Sequence, residues 1–177
     1  MIEVKIPGIR HGQAYIADAY YKGSFVEKDG VFSSADIDAL PTGQKNKPGY
    51  ASEGSMKLTQ VTSAAAGQRG RVFPINKLIY KPEDADSDND LIAAGSSVIY
   101  YEGGQYETDQ YLEVSGTAGG DFGDLLEITV SGKLTETSTT GTDSEVAEVI
   151  KMSFGDDYND DVMGEQHEKD RLWYRLL

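Results

Sequence analysis

Carboxylates are the residues best suited to chemistry in this chain, and two runs concentrate them. The first, DADSDND at 84–90, alternates acids with Ala, Ser and Asn, whereas the second, DDYNDD at 156–161, lacks that alternation. Alternating acids can direct several oxygens at one hard cation, as in the calcium loop of an EF-hand. Such a loop starting at Asp84 needs Gly sixth and Glu twelfth, where this chain has Asn89 and Gly95. The pattern therefore favours two solvated acidic loops and no metal ligand, with a weak calcium or magnesium contact as the alternative.

Other catalytic groups are scarce. The chain has no cysteine, which excludes disulfides, thiolate nucleophiles and cysteine-based metal sites. Its two histidines, His11 and His167, are not part of a His-Glu-x-x-His sequence, and no Gly-x-Ser-x-Gly turn is present for a hydrolase serine. A glycosidase-like pair among the 30 acidic residues is the one enzymatic alternative, but sequence gives no distance between carboxylates. We predict no catalytic residue, no cofactor and no enzymatic activity.

The charge balance restricts the partners. Sixteen basic residues against 30 acidic ones give a net charge of −14, which repels phosphate backbones and anionic lipid. We therefore predict a protein partner and neither nucleic acid nor membrane. The only dense basic segment is Gly67–Arg71, in which Arg69 and Arg71 are candidates for contact with an acidic neighbour. The first residues lack the long apolar stretch of a signal peptide, so we expect synthesis in the cytoplasm.

The elements that must position these groups are strands. From Ile92 to Thr140, short runs of β-branched and aromatic residues are separated by glycines, which supply the positive φ angles of tight turns. We predict an all-β fold, a compact antiparallel β-barrel or β-sandwich, with residues 14–177 as one domain. Its long loop is 33–55, rich in Gly, Pro, Ser and Asn. Further predicted elements are a hairpin over 14–32 and strands over 56–61, 72–80 and 146–152.

The first residues, 1–13, form a separate N-terminal segment. Ile2, Val4 and Ile6 alternate with Glu3 and Lys5 before a break at Pro7-Gly8. Period-two alternation is typical of a strand. The segment is thus either an edge strand of its own sheet or an extended arm that reaches a neighbouring molecule, and the first alternative is the more ordinary one.

Five segments of the second half follow a recurring order: IAAGSSV at 92–98, GDLLEI at 123–128, GKLT at 132–135, EVAEVI at 145–150 and LWYRL at 172–176. In their Ala-Gly-x-x-Val, Gly-Asp-x-Leu and Gly-x-Leu-Thr steps they resemble the phage head decoration (capsid cement) proteins. The resemblance covers roughly residues 90–177, and residues 1–89 do not follow the family's pattern.

This resemblance implies a non-enzymatic virion protein that binds assembled major capsid protein on the outer surface of the shell and stabilises it, in many copies. Contacts between copies of the chain itself are a further expectation. For capsid contact we predict the N-terminal residues Ile2, Val4 and Ile6 and the basic residues Arg69 and Arg71. The alternative function is a carbohydrate-binding or host-adhesion module of a virion, with exposed tyrosines and loop 33–55 as its surface.

Overall fold

The architecture comes from a computed structural model that describes residues 2–62, 68–78, 91–112, 122–137, 144–153 and 171–177. These ranges hold one short helix, α1 (Ser34–Ala39), a 3-10 turn (Thr42–Gln44) and eleven strands. The strands are β1 (Ile2–Ile16), β2 (Tyr20–Tyr21), β3 (Phe25–Val31), β4 (Met56–Gln60), β5 (Val72–Lys77), β6 (Leu91–Ile92), β7 (Ser97–Thr108), β8 (Leu125–Ile128), β9 (Leu134–Glu136), β10 (Ala147–Ser153) and β11 (Arg171–Leu176). The prediction of an all-β fold is confirmed, and five of the strands close a barrel.

Strand β7 is the centre of the sheet. One of its edges pairs with β1 along nearly its whole length, from Ser97 to Thr108. The other edge pairs first with β5, at residues 98–100, and then with β11, at residues 105–108. The order β1-β4-β3-β5-β7 closes the barrel, and β11-β10-β8-β9 continues the same nine-stranded sheet from β7; we call these four strands the β8–β11 sheet. All of these pairings are antiparallel except β1 with β4, which are parallel at two residues only.

The change of partner along β7 has a local cause in the sequence. The register that pairs Ile75 with Tyr100 places Pro74 opposite Tyr101, and proline has no N–H to continue the ladder. Beyond that point Gly103 and Gly104 have positive φ angles of 84° and 100°, a backbone conformation that glycine adopts without steric cost. The strand therefore bends there and opens a fork between β5 and β11.

Strand β1 bends with β7. Its register shifts between Val4 and Ile6 and again between Pro7 and Arg10, so β1 has extra residues at both places. The expectation that the strand breaks at Pro7-Gly8 is wrong, since β1 continues to Ile16. The bend is possible because both chains carry glycine at the crossing: a Cβ on Gly8 would overlap the Gly103 carbonyl group.

Two hydrophobic cores fill the molecule. Side chains from all five barrel strands, together with Ile92 of β6, form the barrel core: Ala14, Ile16, Val26, Leu58, Phe73, Ile75, Ile92, Val98 and Tyr100. The second core lies between the barrel wall and the β8–β11 sheet, and it includes Ile2, Phe25, Tyr106 and Tyr174. Because successive side chains of a strand point to opposite faces, the neighbours Phe25 and Val26 serve one core each.

Segment 33–55 is an ordered part of the fold. Helix α1 begins with a capping box in which Ser33 and Asp36 exchange side-chain and backbone hydrogen bonds. Leu40 and Ala51 are buried with Phe32 and Ala94 in a small third cluster. The segment is thus anchored at both ends onto the barrel.

The predicted hairpin over 14–32 is wrong. Residues 14–16 belong to β1, the short strand β2 pairs with β6, and β3 pairs with β4 and β5. The strands predicted over 56–61 and 146–152 correspond to β4 and β10, and β5 occupies the first part of 72–80. The acidic runs 84–90 and 156–161 lie outside the described residues, and so does His167.

Because β1 and β7 cross closely at Gly8, we predict that one added methyl group there lowers the stability of the protein strongly. We expect Gly8→Ala to lower the free energy of unfolding by about 1–3 kcal/mol, since the added Cβ meets backbone that cannot rotate away. Gly43→Ala is the control, because a Cβ there meets no atom within 4 Å. Urea denaturation of both variants measures the difference. Equal stability of the two would contradict the register described for β1.

The two buried tyrosines of the second core make a matched pair. The Tyr106 hydroxyl donates to the Gly103 carbonyl at 2.7 Å, whereas the buried Tyr174 hydroxyl has no hydrogen-bond partner among the described residues. Burial raises the pKa of Tyr174 well above its usual value, so the hydroxyl stays neutral. We expect Tyr174→Phe to keep or raise stability, by up to about 1 kcal/mol, and Tyr106→Phe to lower it by about 0.5–1.5 kcal/mol. Thermal unfolding tests this, and a greater loss in Tyr174→Phe would refute it.

Candidate functional site

The predicted N-terminal contact residues lie in different environments. Ile2 is 8% exposed and belongs to the second core, so it is a structural residue in this fold. Val4 and Ile6 are 40% and 50% exposed, which is unusual for apolar residues of a long paired strand. A partner can therefore reach Val4 and Ile6 without disturbing the core.

The predicted basic contacts already have acidic neighbours in their own chain. Arg69 donates from Nε to the Glu145 carbonyl oxygen at 3.0 Å, and its guanidinium lies 4.0 Å from the Glu145 carboxylate. Arg71 pairs with Glu27 at 3.1 Å. Both arginines stay partly exposed, and their first role in this structure is to hold the loop that carries them.

The residue before Arg69 explains why that loop is ordered. Gln68 is buried, and its amide accepts from the Ile128 N–H and donates to the Ile128 carbonyl, both at 3.1 Å. The side chain thus occupies the place of a neighbouring strand along β8. This satisfies backbone groups that burial would otherwise leave unpaired. Residues 68–71, which we call the basic loop, consequently join the barrel to the β8–β11 sheet.

The most unusual surface of the described chain is the second edge of β1. One edge pairs with β7 from Ile2 to Tyr15. On the other edge, β4 pairs only with Tyr15 and Ile16, so residues 2–12 have no ladder partner there within the described ranges. An unpaired edge presents N–H and C=O groups to which another chain can add a strand. We call residues 2–12 along this side the free β1 edge.

A network of charged side chains holds the first residues of the free β1 edge against β7 and β11. Lys5 donates to the Glu107 carboxylate at 2.7 Å and to Glu3 at 3.0 Å. Arg171 lies 3.8 Å from Glu107 and 3.9 Å from Glu3. Glu107 is almost fully buried, so it depends on these two cations for compensation. Strands β1, β7 and β11 are thereby tied together by one set of charges.

The ionisation of Lys5 follows from this network. Its hydrogen bonds to Glu107 and Glu3 raise the pKa of Lys5 above its usual 10.5, against the smaller opposite effect of burial. The lysine is therefore fully charged at neutral pH. A charged residue beside Val4 and Ile6 also discourages nonspecific pairing between exposed edges.

A cleft of about 320 Å³ opens at the fork of β7. Its walls come from β1, β3, β5, β7, the basic loop and the end of β11, and the lining residues are Arg10, Lys28, Arg69, Gly70, Val72, Phe73, Tyr101, Glu102, Gly103, Val146, Leu176 and Leu177. Three cations thus converge in an acidic protein. No local sequence pattern indicates this cleft, because its residues come from six separate segments. The available hints were Pro74 inside one strand and Gly103-Gly104 inside another.

Lys28 is clamped on one side of the cleft. Its ammonium lies 4.5 Å from the ring centres of both Phe73 and Tyr100 and 2.9 Å from the Glu102 carboxylate. Burial lowers the pKa of Lys28, but hydrogen bonds to Glu102 and Tyr100 outweigh it and raise the value. Lys28 therefore places a fixed positive charge at one wall of the cleft.

Comparisons with known proteins identify no relative, so the role of these surfaces is inferred from their geometry. No protein-family model, curated protein or solved structure matched the chain. In the part of the chain that the structure covers, no three His, Cys, Asp or Glu side chains are grouped so that they could hold a metal ion. The helices of that same part are too short and polar to cross a bilayer. The free β1 edge and the cleft at the fork are therefore the two candidate sites.

The Lys5 network predicts a specific pH dependence. We expect Lys5→Met to lower the free energy of unfolding by about 1–3 kcal/mol at neutral pH, because the buried Glu107 loses its nearest cation. Since the folded-state pKa of Lys5 is raised, this stabilisation is complete below pH 10.5 and is lost as the pH rises through the raised value. Urea denaturation at a series of pH values measures the gap between the two proteins.

Lys151→Met provides the control, because Lys151 is an exposed strand residue with no ion pair to the described residues. A gap for Lys5→Met that stays constant into the alkaline range, or that matches the control, would rule out the assigned role of the network.

Proposed function

We propose that this chain is a non-enzymatic decoration protein that binds the outside of an assembled phage capsid and stabilises the shell. The observation that carries the proposal is the free β1 edge, a long strand side without a ladder partner in the described chain. The resemblance of residues 90–177 to head decoration proteins supplies the choice of partner, the major capsid protein.

The free β1 edge suits addition of a strand from another protein. Backbone hydrogen bonds along residues 2–12 would give affinity, and side chains beside them would give specificity. Val4 and Ile6 provide apolar surface for the partner to cover, worth about 1.5–3 kcal/mol for each side chain fully buried.

The same edge has features that reject unspecific partners. Lys5, Pro7 and the two register shifts interrupt a flat pairing surface. Only a segment that follows the bend of β1 can pair along it. This supports one defined docking geometry rather than general aggregation between exposed strands.

Binding to a shell, rather than to free subunits, follows from repetition. A capsid offers many equivalent sites at fixed spacings, and contacts of modest area together brace the assembly. The net charge of −14 keeps neighbouring copies soluble before they bind and is consistent with a protein surface as the target. We place the protein on the outer surface of the virion.

The decisive variant replaces the exposed apolar residues and leaves Ile2 in the core. We expect the double substitution Val4→Asp, Ile6→Asp to weaken binding to empty shells at least tenfold, because two charged groups would enter the strand interface. Co-sedimentation of purified protein with shells of the encoding phage measures this, with unassembled major capsid protein as a parallel sample.

The matched control is Val31→Asp, Val130→Asp. These valines are 57% and 51% exposed and lie on other parts of the surface, so the variant adds the same two charges away from β1. Circular dichroism establishes that both variants are folded. Wild-type binding by the β1 variant would exclude the free β1 edge as the contact. Lack of shell binding by the wild type, with affinity for glycans instead, would replace the proposal by the adhesion alternative.

A further inference from the structure

The cleft at the fork contains a cation that no described residue of the chain neutralises. Lys28 pairs with Glu102, and Arg69 is bonded to Glu145. Arg10, by contrast, forms no ion pair or side-chain hydrogen bond with the described residues, although it is exposed on the wall of the cleft in a protein of charge −14. An unpaired guanidinium at a concave surface is suited to a carboxylate, which it can bind through two parallel hydrogen bonds.

The rest of the lining defines what the carboxylate is attached to. Beside the three cations and Glu102, the described cleft is lined by two glycines, Gly70 and Gly103, and by the apolar or aromatic residues Val72, Phe73, Tyr101, Val146, Leu176 and Leu177. Tyr101 supplies the only side-chain hydroxyl of this set. A sugar acid needs polar partners for several hydroxyl groups, whereas an apolar body does not.

We propose that this cleft binds a carboxylate next to an apolar side chain, as found at the C-terminal end of a peptide chain. Arg10 holds the carboxylate, and the side chain beside it packs on Phe73, Tyr101 and the end of β11. The volume of about 320 Å³ has room for one or two residues. The ladder between β5 and β7 ends at Pro74, opposite Tyr101 of the cleft wall. This site is separate from Val4 and Ile6, and it stands whether or not the shell is the partner.

The test uses two small probes that differ in one group. N-acetyl-Leu-Phe has a free C-terminal carboxylate, and N-acetyl-Leu-Phe amide has the same apolar body without the charge. Titration of the isotope-labelled full chain by NMR should give saturable shifts of the Tyr101, Glu102 and Gly103 amides with the acid. We expect at least tenfold weaker binding of the amide.

Variants at Arg10 locate the interaction. Arg10→Gln should weaken acid binding about tenfold or more, and Arg10→Lys should restore part of it, because a charge returns without the planar fork. Lys47→Gln removes one exposed cation elsewhere on the surface and should leave binding unchanged.

Four outcomes would overturn the proposal. Equal binding of the acid and the amide would remove the carboxylate from the recognition, and unchanged binding by Arg10→Gln would remove Arg10. Tighter binding of glucuronate than of N-acetyl-Leu-Phe would assign the cleft to sugar acids instead of peptides. Failure of N-acetyl-Leu-Phe to bind at any concentration up to its solubility limit would also exclude recognition of a carboxylate.

Discussion

The pairing of β1 with β7 is the interaction on which the rest of the molecule depends. Strand β7 pairs with β5 of the barrel and with β11 of the β8–β11 sheet, and β1 runs beside it through both parts, from Ser97 to Thr108 of β7. Because one continuous pair of strands runs through both halves, a bend in one strand requires a matching bend in the other. The glycines at 8, 103 and 104 make that bend possible. Both hydrophobic cores take their position from it.

The two candidate sites arise from the same geometry. On one side of the pair, β1 extends well beyond the two residues that β4 covers, which leaves the free β1 edge. On the other side, β5 and β11 cannot both follow a bent β7, and their separation opens the cleft. Charges then define each surface: Lys5 with Glu107 holds the start of the edge, while Lys28 with Glu102 forms one wall of the cleft. The bend of β1 and β7 thus accounts for both the free β1 edge and the cationic cleft of the described chain.

Local patterns in the sequence predicted the class of fold well and its connections poorly. Glycine-separated β-branched runs correctly indicated an all-β barrel, and the alternation of Ile2, Val4 and Ile6 correctly indicated a strand. Pro7-Gly8 was misinterpreted as the end of that strand, since the compensating glycines are some 95 residues away in the sequence. The hairpin expected over 14–32 failed for a related reason: β2 and β3 choose distant partners, and such pairings depend on tertiary packing rather than on local turn signals. The cleft required six segments to meet, and the ion pairs of Arg69 and Arg71 required Glu145 and Glu27 to be placed beside them. No single stretch of sequence contains that information.

Hydrogen–deuterium exchange of the free and the shell-bound protein, followed by mass spectrometry, tests the central claim most directly. In the free protein, we expect slow exchange of the β1 amides that point to β7 and faster exchange of those on the free β1 edge. Shell binding should then slow exchange within residues 2–12 more than in any other described segment. Protection that instead develops only in segment 33–55 or around the fork, with residues 2–12 unchanged, would contradict the free β1 edge as the docking element.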